Sequence, residues 1–180
     1  TVGQGNWRAD AGFVTSYAQL KRTAQNISHD LNDQGIEVYE QGDGASANTL
    51  LENFRNSDRA VLLGTRSFWE GVDVAGEALS VLVITKLPFD VPSDPIIAAR
   101  SETFEDPFSE YSLPEAILRF RQGFGRLIRT QTDRGVVVIL DKRVLTKPYG
   151  RSFTESLPVC TVRVGSLADL PRSAAKWLNL

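Results

Sequence analysis

With 180 residues, 42% of them hydrophobic, the chain can build one ordinary domain with its own core, which excludes a disordered segment. The net charge of −2, from 20 basic and 22 acidic side chains, excludes a protein that wraps nucleic acid over its whole surface, so any phosphate contact must be local. No apolar run nears the roughly 18 residues of a membrane span, no signal peptide opens the chain, and one cysteine, Cys160, permits neither an internal disulfide nor a cysteine cluster, so a reducing, cytoplasmic setting fits best.

The first dozen residues are polar and Gly-rich, without periodicity, and read as an irregular start (1–11) to a single domain spanning 1–180. From Tyr17 to Leu31 the spacing of Leu20, Ala24, Ile27 and Leu31 predicts a helix, which Gly35 stops. IEVYE (Ile36 to Glu40) reads as a short strand, QGDGAS as a loop, and Ser46 or Ala47 as the start of a helix to about Phe54. AVLLG (Ala60 to Gly64), LSVLVIT (Leu79 to Thr85) and GVVVIL (Gly135 to Leu140) are continuous apolar runs, as in strands covered on both faces. Helical patterns separate them, from Asp94 to about Thr103 and from Leu113 to Thr130, and CTVRV followed by SLADLPRSAAKWL reads as a final strand and helix. This alternation predicts an α/β fold of three layers, a mainly parallel sheet with helices on both faces. In such sheets, function gathers in the loops at the carboxyl ends of the strands.

LPEAILRFRQGFGRLIRT (Leu113 to Thr130) organises the rest. As a helix it carries Leu113, Ile117, Phe120, Phe124 and Leu127 on one side, and Gln122, Arg126 and Arg129 on the other. Gly123 and Gly125 each cost about 1 kcal/mol against alanine inside a helix, and suit a backbone that another surface or a ligand must approach. An amphipathic helix with a solvated polar face is the alternative reading. Arg126 and Arg129 lie one turn apart, so both can reach one phosphate group, and a rigid arginine pair neutralises charge on a transferred phosphoryl group.

Three loops follow strands. In TRSFWEGVD, the hydroxyls of Thr65 and Ser67 and the charge of Arg66 suit phosphate, Phe68 and Trp69 suit base stacking, and Gly71 permits close approach. A turn whose aromatics fold back into the core is the other reading. Thr15, Ser16 and Tyr17 offer hydroxyls that cap the next helix. LPFDVPSDP is stiffened by Pro88, Pro92 and Pro95; it is a rigid connector, with Lys86 beside it as a candidate phosphate contact. His29 reads as a surface residue and Cys160 as a buried strand residue.

QGFGRLIR resembles motif VI of superfamily 2 helicases, in the version carried by DinG and XPD-like DNA helicases. GTRSFWEGVDVAGEAL (Gly64 to Leu79) is similar to motif V of that family, and TSY (Thr15 to Tyr17) to the start of its motif IV region. KLPFDVPSDP (Lys86 to Pro95) and DKRVLTKPYGRSFTESLP (Asp141 to Pro158) match in the same order, so the resemblance runs over roughly residues 12 to 160. One departure stands out: the family has an apolar strand before TSY, whereas WRADAGFVTSY holds only Phe13 and Val14 as strongly apolar residues, which leaves the first strand open.

The resemblance implies the second RecA-like motor domain of an ATP-dependent DNA helicase, moving 5′ to 3′. It implies that Arg126 and Arg129 act as arginine fingers on ATP and Mg²⁺ held mainly by the first motor domain of the same polypeptide. It places Gln122, Glu70, Gly71 and Asp73 on the nucleotide side, with Asp73 near the ribose or a metal-bound water. Thr15, Ser16, Tyr17, Thr65, Arg66, Ser67 and Phe68 fall on the single-stranded DNA side. No G-x-x-x-x-G-K-[ST] and no DEAH-like box occurs, so the first motor domain is absent from this chain. The chain by itself is expected to bind no cofactor or metal and to hydrolyse no ATP. A monomer with no membrane partner is expected. The start at Thr1 and the lack of methionine suggest a piece of a longer chain, although processing can also remove an initiator methionine. A stand-alone, non-catalytic module binding nucleic acid or protein is the alternative. A small-molecule α/β enzyme is a third, but no acid/base or nucleophile set supports it.

Overall fold

Short runs of branched aliphatic residues form β3 (Ala60–Gly64) and β4 (Val81–Ile84), which flank the first strand, β1 (Asp10–Phe13). The computed structural model describes residues 10–13, 16–65, 68, 79–127 and 134–179. With β2 (Glu37–Glu40) and β5 (Val136–Ile139) at the edges, the sheet is five-stranded in the order β2-β3-β1-β4-β5, and every pair is parallel. The sequence left the first strand open, yet β1 lies at the centre, with Asp10 level with Val61 of β3 and Val81 of β4. Ladder hydrogen bonds belong to the backbone, so a strand between two apolar neighbours needs little apolar sequence of its own.

Alternation along β3 separates two cores. Leu62 joins the larger one with Leu82 and Ile84 of β4, whereas Leu63 joins a smaller one with Leu20 and Ala24. The larger core receives α2 (Ala47–Asn56) through Leu50, Leu51 and Phe54, α4 (Leu113–Leu127) through Ala116, Phe120 and Leu127, and α6 (Gly150–Glu155) through Phe153. The smaller core is the contact of α1 (Tyr17–Asn32). Chain direction explains the division. The path from β1 to β2 runs toward one edge, and the later crossovers run back toward the other. Crossovers of one hand then place α1 on the face opposite α2 and α4. The expected three layers are present.

Helix starts follow local chemistry. Ser46 accepts from Thr49 N at 3.2 Å to cap α2, and Asp94 accepts from Ile96 N at 2.9 Å to cap α3 (Pro95–Ser101). The long helix begins earlier than its apolar spacing suggests, because a π-helical turn, Phe108–Ser112, runs directly into α4. Asp106 opens that turn by accepting from Phe108 N and Ser109 N, both at 3.2 Å. The wider turn is accompanied by stacking of Tyr111 on Phe104 at 5.4 Å and of Phe108 on Phe89 at 5.9 Å. Asp106-Pro107 was the readable signal for it.

Two expectations fail at the C-terminal end. CTVRV forms no strand: Val162 and Val164 are exposed, and so is Cys160, which is therefore not a buried strand residue. Strand propensity needs a ladder partner, and among the described residues β5 pairs with β4 alone. After α5 (Arg143–Thr146) and α6, the chain instead returns through α7 (Leu170–Leu178), which lies against β5.

Candidate functional site

The carboxyl ends of the strands carry the loops of interest, and β1 and β4, whose onward connections leave in opposite directions, make the switch point of the sheet. At one side of it stands Tyr17, the first residue of α1. Ser16 caps that helix by accepting from Gln19 N at 3.3 Å. The Tyr17 ring is half exposed, and its Oη accepts from Gln41 Nε2 at 2.7 Å.

Gln41 directly follows β2, and its backbone N–H donates to Leu63 O at 2.9 Å. Its Oε1 accepts from both Thr65 N and Thr65 Oγ1, at 2.8 Å each. One amide thus joins the loops that follow β1, β2 and β3. Nothing in the sequence marks Gln41, since a glutamine before a Gly-Asp-Gly turn carries no signal of its own. The Thr65 hydroxyl, expected on a phosphate, is instead buried and donates inward to Gln41.

Phe68 requires a correction. It was expected to offer an exposed face to a base, but it is 3% exposed and sits in the larger core. Gly64 makes room for it: a Cβ there would come within 3.1 Å of the Phe68 ring. The ring anchors the loop after β3, because burial in an apolar core outweighs exposure for a phenyl group. Thr15, Arg66, Ser67, Trp69, Glu70, Gly71, Asp73 and Arg129 lie outside the described residues.

At the other side of the switch point, α4 presents Gln122 to solvent while Phe120 and Leu127 hold the helix down. Phe120 meets Phe153 edge-on at 5.4 Å, and Leu127 packs on Gly135, where a Cβ would come within 2.6 Å of the Leu127 side chain. Gly123 is buried and Gly125 exposed; among the described residues nothing lies within 4 Å of a Cβ built at Gly125. Arg126 belongs to the same helix, one turn past Gln122, and its side chain lies outside the description. Arg119 faces inward instead, to Asp90 at 2.8 Å and Glu115 at 3.2 Å. That pair ties α4 to the proline-rich loop and supports the rigid-connector reading of LPFDVPSDP.

The loop after β5 is set by Asp141, which is buried and accepts from Leu87 N at 2.9 Å, Arg143 N at 3.0 Å and Arg143 Nη2 at 2.6 Å. Burial works to raise its carboxyl, but the Arg143 side chain, the two backbone donors and the Arg143 charge outweigh it and hold the group at about 2. The Arg143 guanidinium lies 5.3 Å from the Phe89 ring centre. Exposed Lys86 and Lys142 rim a shallow depression beside this pair. Among the described residues no group of three or more His, Cys, Asp or Glu side chains could hold a metal ion, and no helix is long and apolar enough to cross a membrane.

The family model described as the helicase C-terminal domain matches residues 11–160. The chain is 44% identical over 155 residues to the 3′-5′ exonuclease DinG of Bacillus subtilis, covering 83% of this chain and 17% of that protein. It is 44% identical over 150 residues to the ATP-dependent DNA helicase YoaA of Escherichia coli, covering 81% and 23% respectively. The chain therefore spans less than a quarter of the length of these relatives. Among solved structures, the second domain of the DEAD-box helicase Mss116p, bound to an RNA duplex, aligns with a TM-score of 0.52 at 13% identity, covering 97% of this chain and 58% of that one. The C-terminal domain of Saccharomyces cerevisiae Dbp5, bound to Gle1 and IP6, aligns with a TM-score of 0.52 at 17% identity, covering 97% and 85%. At such identities the likeness speaks for the fold, which is RecA-like.

Proposed function

The chain belongs to the helicase C-terminal domain family, and from that premise we propose that it is the second motor domain of an ATP-dependent DNA helicase. The observation that carries this reading is α4. It is anchored by Phe120 and Leu127, exposes Gln122, and keeps an open glycine, Gly125, where nothing in the described chain requires one. A helix that only packed would be more stable with alanine there. A helix that meets nucleotide and a facing domain gains from the missing side chain, since its backbone can be approached.

On this reading Arg126 and Arg129 reach across a cleft to the phosphates of ATP, which the first motor domain holds with Mg²⁺. Their charge stabilises the oxygens of the transferred phosphoryl group, and the buried side of α4 keeps them in place as charge builds. Gln122, Glu70, Gly71 and Asp73 line the nucleotide side of the same cleft. Thr15, Ser16, Tyr17, Arg66 and Ser67 hold single-stranded DNA, with Thr65 and Phe68 anchoring the loops from within. Closing on ATP and opening after hydrolysis moves the grip along the strand. The chain carries neither a phosphate-binding GK[ST] loop nor a DEAH-like box, so catalysis requires the other motor domain.

The test is Arg126→Ala in the full-length protein that carries this chain, assayed for DNA-stimulated ATP hydrolysis. Turnover falls about 10³-fold, as for other arginine fingers, while the domain stays folded. Near-normal turnover refutes the assignment and leaves a non-catalytic binding module as the better account.

A further inference from the structure

Tyr17 is held in a way its place at a helix start does not require. Ser16 already caps α1, so the helix needs nothing from the ring. The ring nevertheless lies over Gly42, whose φ of +90° and missing side chain clear the space. A Cβ at Gly42 would come within 3.2 Å of Tyr17 Cε1.

The Gln41 amide beside it has a determined orientation. Thr65 N can only donate, so the oxygen of the amide faces Thr65 and the nitrogen faces Tyr17. Tyr17 Oη therefore accepts from Gln41 and keeps its own proton to give elsewhere. The result is a half-exposed aromatic face with a directed hydroxyl proton at the carboxyl edge of the sheet.

We propose that Gln41 is a positioning residue for single-stranded DNA, fixing Tyr17 so that a base stacks on its ring and its hydroxyl donates to an acceptor on the strand. This rests on the helicase reading above. It adds a residue that touches no DNA and names what it acts through. The same amide holds Thr65, so one side chain ties the Tyr17 grip to the end of β3.

The experiment uses the full-length protein carrying this chain and a short oligothymidylate, measuring its dissociation constant and the concentration that half-maximally stimulates ATP hydrolysis. Tyr17→Phe removes the directed proton and leaves the ring; it weakens both quantities about tenfold, the worth of one hydrogen bond to a charged group. Gln41→Leu does the same, and its loss falls on the half-stimulating concentration rather than on turnover at saturating DNA. The double variant is no worse than the weaker single one, because both remove one device.

Multiplicative losses in the double variant overturn the proposal. So does wild-type binding by Tyr17→Phe, a result that holds even where Gln41→Leu does not fold. So does a Gln41→Leu defect in turnover at saturating DNA accompanied by a lowered melting temperature, which marks a structural role. Tyr17→Ala separates the two levels: if it binds DNA as the wild type does, the DNA-side reading of this edge fails. If it loses binding while Gln41→Leu keeps it, only the role of Gln41 fails.

Discussion

Replacing Asp141 with alanine removes the buried acceptor that joins the loops after β4 and β5. Leu87 N–H, 2.9 Å from Asp141 Oδ2 in a buried setting, loses its acceptor, which costs about 1–2 kcal/mol. The ionised pair with Arg143 goes as well. A carboxyl moved from 3.8 to about 2 represents roughly 2–3 kcal/mol; part of that is the Leu87 bond already counted, and the partial exposure of the Arg143 side chain reduces the rest to about 1. The expected loss is therefore about 2–3 kcal/mol at neutral pH. Urea unfolding of the chain, followed by far-ultraviolet circular dichroism, measures it. The pH dependence supplies a second check. The folded carboxyl is depressed, so its contribution is fully present above the unfolded value of 3.8 and is lost as pH falls toward about 2. About half of that part is gone by roughly pH 3, and the gap between wild type and variant narrows accordingly. A loss below about 1 kcal/mol at neutral pH refutes the reasoning. So does a gap that stays constant down to pH 3.

Gly125→Ala stabilises the chain by about 0.5–1 kcal/mol in the same unfolding experiment, because nothing described meets the added methyl group. In the full-length protein the same change lowers DNA-stimulated ATP turnover, since the methyl group projects into the proposed cleft; unchanged turnover counts against that docking. Gly150→Ala acts oppositely. Its Cβ would come within 2.2 Å of Val144 O, so α5 and α6 must move apart, and circular dichroism melting shows a destabilisation of about 2–3 kcal/mol.

Much of the fold was legible because its signals are local. The aliphatic runs of β3, β4 and β5, the Ser46 and Asp94 caps, and the single apolar side of α4 each depend on residues a few positions apart. The motifs from TSY to DKR were readable for the same reason, and they named the family. What a sequence pattern does not state is which element lies beside which. CTVRV has strand-forming residues but no ladder partner among the described residues, while the less apolar β1 has one on each side.

The candidate site divides along the same line. Residue types and spacing determined that α4 carries a polar face with Gln122 and Arg126, because helical period alone decides what shares a face. Only the tertiary structure decided that Phe68 turns inward over Gly64, that Thr65 is buried, and that Gln41 joins Thr65 to Tyr17. Gln41 and Tyr17 are separated by 24 positions, and so are Gln41 and Thr65. Sequence periodicity describes faces within one element. A side-chain hydrogen bond between loops depends on the order of strands in the sheet, which brings the ends of β1, β2 and β3 together.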